Sequence, residues 1–174
     1  MNGDALPSSQ VVQPIEDRAV SKTTERSKPE ATISARASAT VRLRPQWVWH
    51  RLSDPCNWSA HFDHLTMVSK SDFDMDEYTW LVLEYTCKVR LTVREPPLHL
   101  AWQSEMGAVM RLSGEIILEP LEWQTRLTVQ LNYVSNDPRL SLLLQSLETG
   151  LQRDVTRMAQ VLETRPAQVL ERRL

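Results

Sequence analysis

Two histidines close together, His61 and His64, have the spacing in this sequence that best suits metal binding. They are three residues apart, so one face of a helix could present both imidazoles to the same ion. A zinc site needs at least a third protein ligand, and the nearby carboxylates of Asp63 and Asp72 do not complete a convincing set. We therefore predict solvated histidines near a loop, with no metal and no cofactor.

A thiol and a run of carboxylates are the other groups that could do chemistry. Cys56 follows Pro55 at a predicted helix start, where the helix dipole could lower its pKa, but only His61 is a conceivable partner. The acidic run consists of Asp72, Asp74, Asp76 and Glu77. It lacks the glycine and the terminal glutamate of an EF-hand loop. We therefore interpret these groups as an ordinary buried cysteine and a solvated hairpin tip.

The elements that position these groups begin with a strand over residues 33–41, where apolar and polar residues alternate. Its apolar face is nearly all alanine, which lets a helix or a ligand approach closely. Proline at the first helical position predicts two short helices, over residues 47–52 and 55–62. The pair Asp137-Pro138 predicts a long helix that runs to about residue 163. Its apolar stripe is Leu140, Leu144, Leu147, Leu151, Val155, Met158 and Leu162, and Gly150 indicates a kink or a close approach.

Strands without intervening helices fill the middle of the chain, which predicts an antiparallel sheet. We place them at residues 66–73, 78–93, 98–104, 110–118 and 124–134. The second of these stretches is too long for one strand, so it is divided near residues 84–85.

Alternation along these strands predicts which side chains face the concave side of the sheet. The inward set is Cys87, Val89, Leu91, Val93, Leu98, Leu100, Trp102, Leu112, Gly114, Ile116, Leu118, Leu127, Val129, Leu131 and Tyr133. The charged residues Lys88, Arg90, Arg94, Glu115 and Arg126 have the opposite parity. A cyclase would need an acid and a base aimed at its substrate. The pattern supplies none and favours binding over catalysis.

This order of elements resembles the helix-grip fold of the START-like, Bet v 1-like (SRPBCC) superfamily, and within it the polyketide cyclase/dehydrase and lipid-transport group. The resemblance covers residues 32–163 and is carried by Val48-Trp49, Ser53-Asp54-Pro55, Trp58, Glu95-Pro96-Pro97 and Ala101-Trp102. It implies an α+β fold with a curved antiparallel sheet of about six to seven strands, two short helices after the first strand and a long C-terminal helix. It also implies a cavity between sheet and helix, which relatives use for sterols, lipids, quinones or polyketides.

The function predicted from these observations is binding, carriage or sensing of a hydrophobic small molecule. The predicted ligand contacts are Trp58, Phe62, Trp80, Val89, Leu91, Trp102, Leu112, Ile116, Leu131, Tyr133, Leu144 and Leu147. Trp58, Phe62 and Trp80 would line the mouth of the cavity, although core packing explains them equally well. Two alternatives stay open: a cyclase/dehydrase-type enzyme, and a protein-interaction module whose cavity has filled in.

Charge and composition exclude other classes of partner. A net charge of -2 and a pI near 6.1 provide no field that would attract nucleic acid. No apolar stretch approaches the ~18–20 residues of a membrane helix, and no signal peptide is evident, so we expect a cytoplasmic protein. We predict a disordered arm over residues 1–31, a domain over 32–163 and a tail over 164–174. The arm or the outer sheet face could engage a protein partner.

Overall fold

The computed structural model describes residues 31–82, 85–105, 110–135 and 146–164. Its strands are β1 (Ala31–Val41), β2 (Leu65–Lys70), β3 (Glu77–Val82), β4 (Tyr85–Glu95), β5 (His99–Ser104), β6 (Met110–Leu121) and β7 (Gln124–Ser135). The helices are α1 (Pro45–Leu52), a 3₁₀ helix (Pro55–Ala60) and α2 (Leu147–Thr164). Domain boundaries stay a prediction, since residues 1–30 and 165–174 lie outside the described ranges.

One antiparallel sheet contains all seven described strands, in the order β1-β7-β6-β5-β4-β3-β2. From β2 to β7 each strand pairs with the next along the chain, whereas β1 pairs with β7. The sheet curls into a half-barrel with α2 packed against its β1 end. This is the helix-grip α+β fold, and the predicted fold class is confirmed.

Strand β1 brings α2 close to the sheet because its inward side chains are small. Ala35 and Ala37 are buried and lie opposite Leu131 and Val129 of β7. Alanine leaves room for the larger residues of the helix, so α2 packs closely against this edge of the sheet.

The two short helices start where the sequence predicts. Pro45 is the first residue of α1, and Asp54 caps the 3₁₀ helix by accepting a hydrogen bond from the backbone N–H of Cys56 (3.0 Å). The indole Nε1–H of Trp58 donates to the carbonyl oxygen of Leu52 (2.9 Å). This bond ties the 3₁₀ helix to the end of α1 in the interior.

Helix α2 carries the predicted apolar stripe, with Leu151, Val155 and Met158 fully buried. The first part of the predicted helix, through residue 145, lies outside the described residues. The close approach predicted at Gly150 is wrong, because a Cβ at that position would meet no atom within 4 Å.

Three details of the predicted strands differ from the structure. Leu98, predicted on the inward face, lies in the turn after a cis Pro96-Pro97 bond and is 43% exposed. Strand β2 ends at Lys70, short of the predicted residue 73. Val93 is only half-buried, because the pairing of β4 with β5 shifts register between Leu91 and Val93.

No helix within the described ranges is both long enough and apolar enough to cross a membrane.

Candidate functional site

A small pocket lies between the sheet and the segment that contains the 3₁₀ helix, whereas the predicted cavity lay between the sheet and the C-terminal helix; no described residue of α2 lines this pocket. It is lined by Trp58, Phe62, His64, Leu65, Trp80, Val82, Trp102, Leu112, Ser113, Leu131 and Tyr133. Its volume is about 10 Å³. That is room for about one water-sized sphere, so side chains fill most of the space between these elements.

Three tryptophans form the centre of the pocket wall. The ring centroids of Trp58 and Trp102 are 4.7 Å apart, those of Trp58 and Trp80 are 5.5 Å apart, and those of Trp80 and Trp102 are 5.6 Å apart. The rings meet edge-to-face or tilted, the arrangements that aromatic quadrupoles prefer. The cluster therefore joins the 3₁₀ helix to β3 and β5.

Gly114 allows one of these rings to pack closely against the sheet. It pairs with Trp102 on β5 and with Leu131 on β7. A Cβ at Gly114 would lie 2.6 Å from Cζ2 of Trp102 and 2.7 Å from the carbonyl oxygen of Gln130. Only glycine lets the indole approach this closely.

Two of the three indoles have a buried hydrogen-bond donor with no acceptor. Within the part of the chain that the structure describes, neither Nε1 of Trp80 nor Nε1 of Trp102 makes a hydrogen bond, although these residues are only 3% and 2% exposed. Trp58 differs, because its Nε1–H is bonded to Leu52. An unpaired buried donor costs about 1–3 kcal/mol, so both N–H groups are available to any acceptor that enters the pocket.

His64 is a pocket residue, and the prediction that it is solvated is wrong. Its ring lies 5.7 Å from Phe62 and 6.1 Å from Tyr133, measured between centroids. Burial lowers the pKa of His64 to about 4, against a partial opposing effect of the Asp63 carboxylate. The imidazole is therefore neutral at physiological pH.

Tyr133 lies beside His64 and is almost completely buried. Burial raises the pKa of its phenol above the ordinary value, so the hydroxyl stays protonated. The pocket thus contains two neutral polar rings among apolar ones.

A group of four charged side chains fixes the His64 segment to α2. Arg157 donates to the carbonyl oxygen of His61 (2.7 Å), to Asp63 (2.7 Å) and to Asp154 (3.1 Å). Arg153 donates to Asp63 (3.0 Å), and the backbone N–H of Asp63 donates to Asp154 (3.1 Å). Arg157 lowers the pKa of Asp63, whereas burial raises the pKa of Asp154. These bonds hold the segment beside the pocket.

The predicted ligand contacts fall into three groups in the structure. Seven line the pocket: Trp58, Phe62, Trp80, Trp102, Leu112, Leu131 and Tyr133. Val89, Leu91, Ile116 and Leu147 are buried but do not line it. Leu144 lies outside the described residues. Trp58 is fully buried, so it is part of the core rather than of an open mouth.

Sequence reasoning missed four lining residues, His64, Leu65, Val82 and Ser113. Val82 shares the parity of Trp80 on β3, and that signal could have identified it. Ser113 has the opposite parity to Leu112, so alternation excludes it from the inward set.

The remaining candidate groups lie away from the pocket lining. Burial raises the pKa of the Cys56 thiol, and Asp54 raises it further, which agrees with an ordinary cysteine, although the side chain is half-buried rather than buried. Asp74 and Glu77 pair with Arg90 near the β2–β3 turn. Within the described ranges, no three potential metal ligands lie close enough together to hold one ion.

Comparisons with known structures identify the same fold in other proteins. A crystal structure of a protein from Deinococcus radiodurans has a TM-score of 0.62 and 22% identity, covering 75% of this chain and 98% of the other. The Zhui aromatase/cyclase from a Streptomyces strain has a TM-score of 0.58 and 15% identity, covering 75% and 94%. The di-domain ARO/CYC protein BexL has a TM-score of 0.56 and 15% identity, covering 74% of this chain and 45% of BexL.

No protein-family model matches this sequence, and no curated protein matches it either. The structural likenesses therefore show the fold alone: a helix-grip fold shared with proteins described as aromatase/cyclases.

Proposed function

We propose that this protein binds a hydrophobic small molecule in the pocket between the 3₁₀ helix and the sheet. The observation that carries the proposal is the composition of that pocket: three tryptophans, a phenylalanine and a tyrosine enclose it together with aliphatic side chains. Pockets of this kind bind small molecules through apolar contact, with a few polar groups fixing orientation. Structural neighbours described as aromatase/cyclases support it by analogy of fold.

The size of the pocket sets a condition on binding. A cavity of about 10 Å³ cannot hold a ligand unless side chains move apart. We expect the ligand to displace pocket rings from their present contacts, so that its arrival changes the surroundings of several tryptophans at once.

Native mass spectrometry of the purified protein and a tryptophan-fluorescence titration together test the proposal. We expect a co-purified lipophile or a saturable response to naphthyl and quinone probes. Trp123 is exposed in the β6–β7 turn, so a Trp123→Phe variant should keep the response. A flat titration with every probe, including an environment-sensitive dye, would contradict ligand binding.

A cyclase is the second candidate, because His64 and Tyr133 bring a base and an acid to one pocket. The pKa shifts of His64 and Tyr133 both make them less suitable as a catalytic base and acid. Efficient proton transfer needs pKa values near the working pH, but burial makes the imidazole a weak base and the phenol a weak acid. Binding without turnover is therefore the better account of the same residues.

The third candidate, an interaction module with a closed cavity, is favoured by the small volume alone. Its partner would contact residues 1–31 or the outer sheet face. The titration separates it from the first candidate, because a filled core gives no saturable binding of any apolar probe.

A further inference from the structure

We propose that the ligand of this pocket is an uncharged aromatic molecule with a carbonyl oxygen, and that Trp80 and Trp102 donate their indole N–H groups to that oxygen. The inference rests on the proposed function and names the chemical class of its ligand. It concerns two donors that nothing in the described part of the chain satisfies.

The two tryptophans that carry these donors are neighbours in the wall of the pocket. Both tryptophans line it, and their ring centroids are 5.6 Å apart. A carbonyl oxygen has two lone pairs and can accept two hydrogen bonds. Trp58, whose N–H is paired with Leu52, serves as the internal comparison. Two of the three neighbouring indoles therefore have an N–H group that can donate a hydrogen bond to an acceptor from outside the chain.

The contacts between the three tryptophan rings favour a ligand with an aromatic ring system. Trp58, Trp80 and Trp102 meet at edge-to-face or tilted angles of 52–68°. A flat aromatic body can replace one of these contacts while keeping the ring geometry that the quadrupoles favour. A flexible alkyl chain would lose rotamer freedom on entering without gaining that geometry.

The pocket also selects for an uncharged ligand. None of the eleven lining residues carries a formal charge at pH 7, because His64 is neutral and the Tyr133 hydroxyl is protonated. A carboxylate would lose its hydration without gaining a counter-charge.

Three naphthalene derivatives of nearly equal shape test this assignment by calorimetric titration of the full chain at pH 7.5. They are 2-acetylnaphthalene, 2-ethylnaphthalene and 2-naphthoate. We expect the ketone to bind at least tenfold more tightly than the ethyl compound, a difference of about 1.4 kcal/mol, and the carboxylate to bind most weakly.

Matched variants assign the preference to the two donors. Trp80→Phe and Trp102→Phe remove one N–H each and keep an aromatic ring, so each should reduce the ketone preference, and the double variant should bring it close to one. Trp123→Phe, at an exposed site, should keep the full preference. If the variants fail to fold, the three ligands on the native protein still decide whether the pocket prefers an uncharged carbonyl compound.

Each outcome has a separate meaning. Equal affinity for the ketone and the ethyl compound overturns the carbonyl assignment and leaves the proposed function intact. Tightest binding of the carboxylate overturns the uncharged class. Failure of both neutral compounds to bind refutes the proposed function and this inference with it. A preference that survives in the double variant shows that other donors hold the oxygen.

Discussion

Acidification should destabilise the fold through His64, because burial lowers the pKa of its imidazole. The pKa of His64 falls from 6.5 to about 4 in the folded protein. Between these values the unfolded chain binds a proton that the folded chain does not bind. Stability therefore rises with pH in this window, and it is lost as the pH falls from about 6.5 toward 4.

The size of the effect follows from the shift. One pKa unit corresponds to about 1.4 kcal/mol, so the full window of ~2.5 units sets an upper limit of ~3.4 kcal/mol. His64 is half-buried by exposed area, so solvent screens part of this free energy. We expect a loss of about 1–2.5 kcal/mol between pH 7 and pH 4.5.

Two neighbouring carboxyls act differently. Arg157 lowers the pKa of Asp63 below 3.8, so the stability that this carboxylate contributes is lost only at pH values below that window. Burial raises the pKa of Asp154, so its ionisation opposes folding and its protonation relieves that cost. Asp154 therefore acts against His64 on acidification, and a variant is needed to isolate the histidine.

The measurement is urea unfolding followed by tryptophan fluorescence at several pH values from 7.5 to 4.5. In His64→Gln the loss between pH 7 and pH 4.5 should disappear or reverse, whereas in His50→Gln, at an exposed position, it should remain. The reasoning is refuted if His64→Gln keeps the native pH dependence, or if the native protein shows none.

Three further predictions concern packing. Trp58→Ala should lower the free energy of unfolding by about 3–5 kcal/mol in urea denaturation, because the residue is fully buried and bonded to Leu52. A stable variant that only binds ligand less well would restore the interpretation that Trp58 lines the mouth of the cavity. Gly114→Ala should lower the free energy of unfolding by about 1–3 kcal/mol, because the added methyl group overpacks against Trp102. Gly150→Ala should raise it by about 0.5–1 kcal/mol, because alanine favours the helix and has open space there. Equal melting temperatures of the two variants would contradict the difference in space around these glycines. Leu151→Asp should abolish cooperative unfolding, because a lone carboxylate would be buried; a retained thermal transition would mean that the helix face is wrong.

The sheet was predictable because alternation is a strong signal wherever one face is buried. Ala35 and Ala37 on β1, and Val129 and Leu131 on β7, all fall on the predicted inward face. The break near residues 84–85 was predicted only because the stretch 78–93 is too long for one strand. In the structure β3 ends at Val82 and β4 begins at Tyr85. The prediction for Leu98 is wrong because alternation does not continue through Pro97 into a turn, where no period applies.

The site was predictable only where a periodic element supplies its residues. His64 lies between the 3₁₀ helix and β2, where no helical or strand repeat of apolar residues indicates which side chains are buried. Its position depends on contact with Tyr133, 69 residues later in the chain, and on the bonds from Arg157 to the same segment. The unpaired donors of Trp80 and Trp102 depend on ångström-scale geometry, which a sequence does not encode in any pattern.

The attachments of the pocket wall limit how a ligand can enter. Trp58 is bonded to Leu52 at one end of the wall, and Arg157 holds His61 and Asp63 at the other. Moving the whole wall would break both attachments, whereas rotating single rings would keep them. For the ligand proposed above, we therefore expect a compact molecule of one or two fused rings to enter more readily than a long lipid chain.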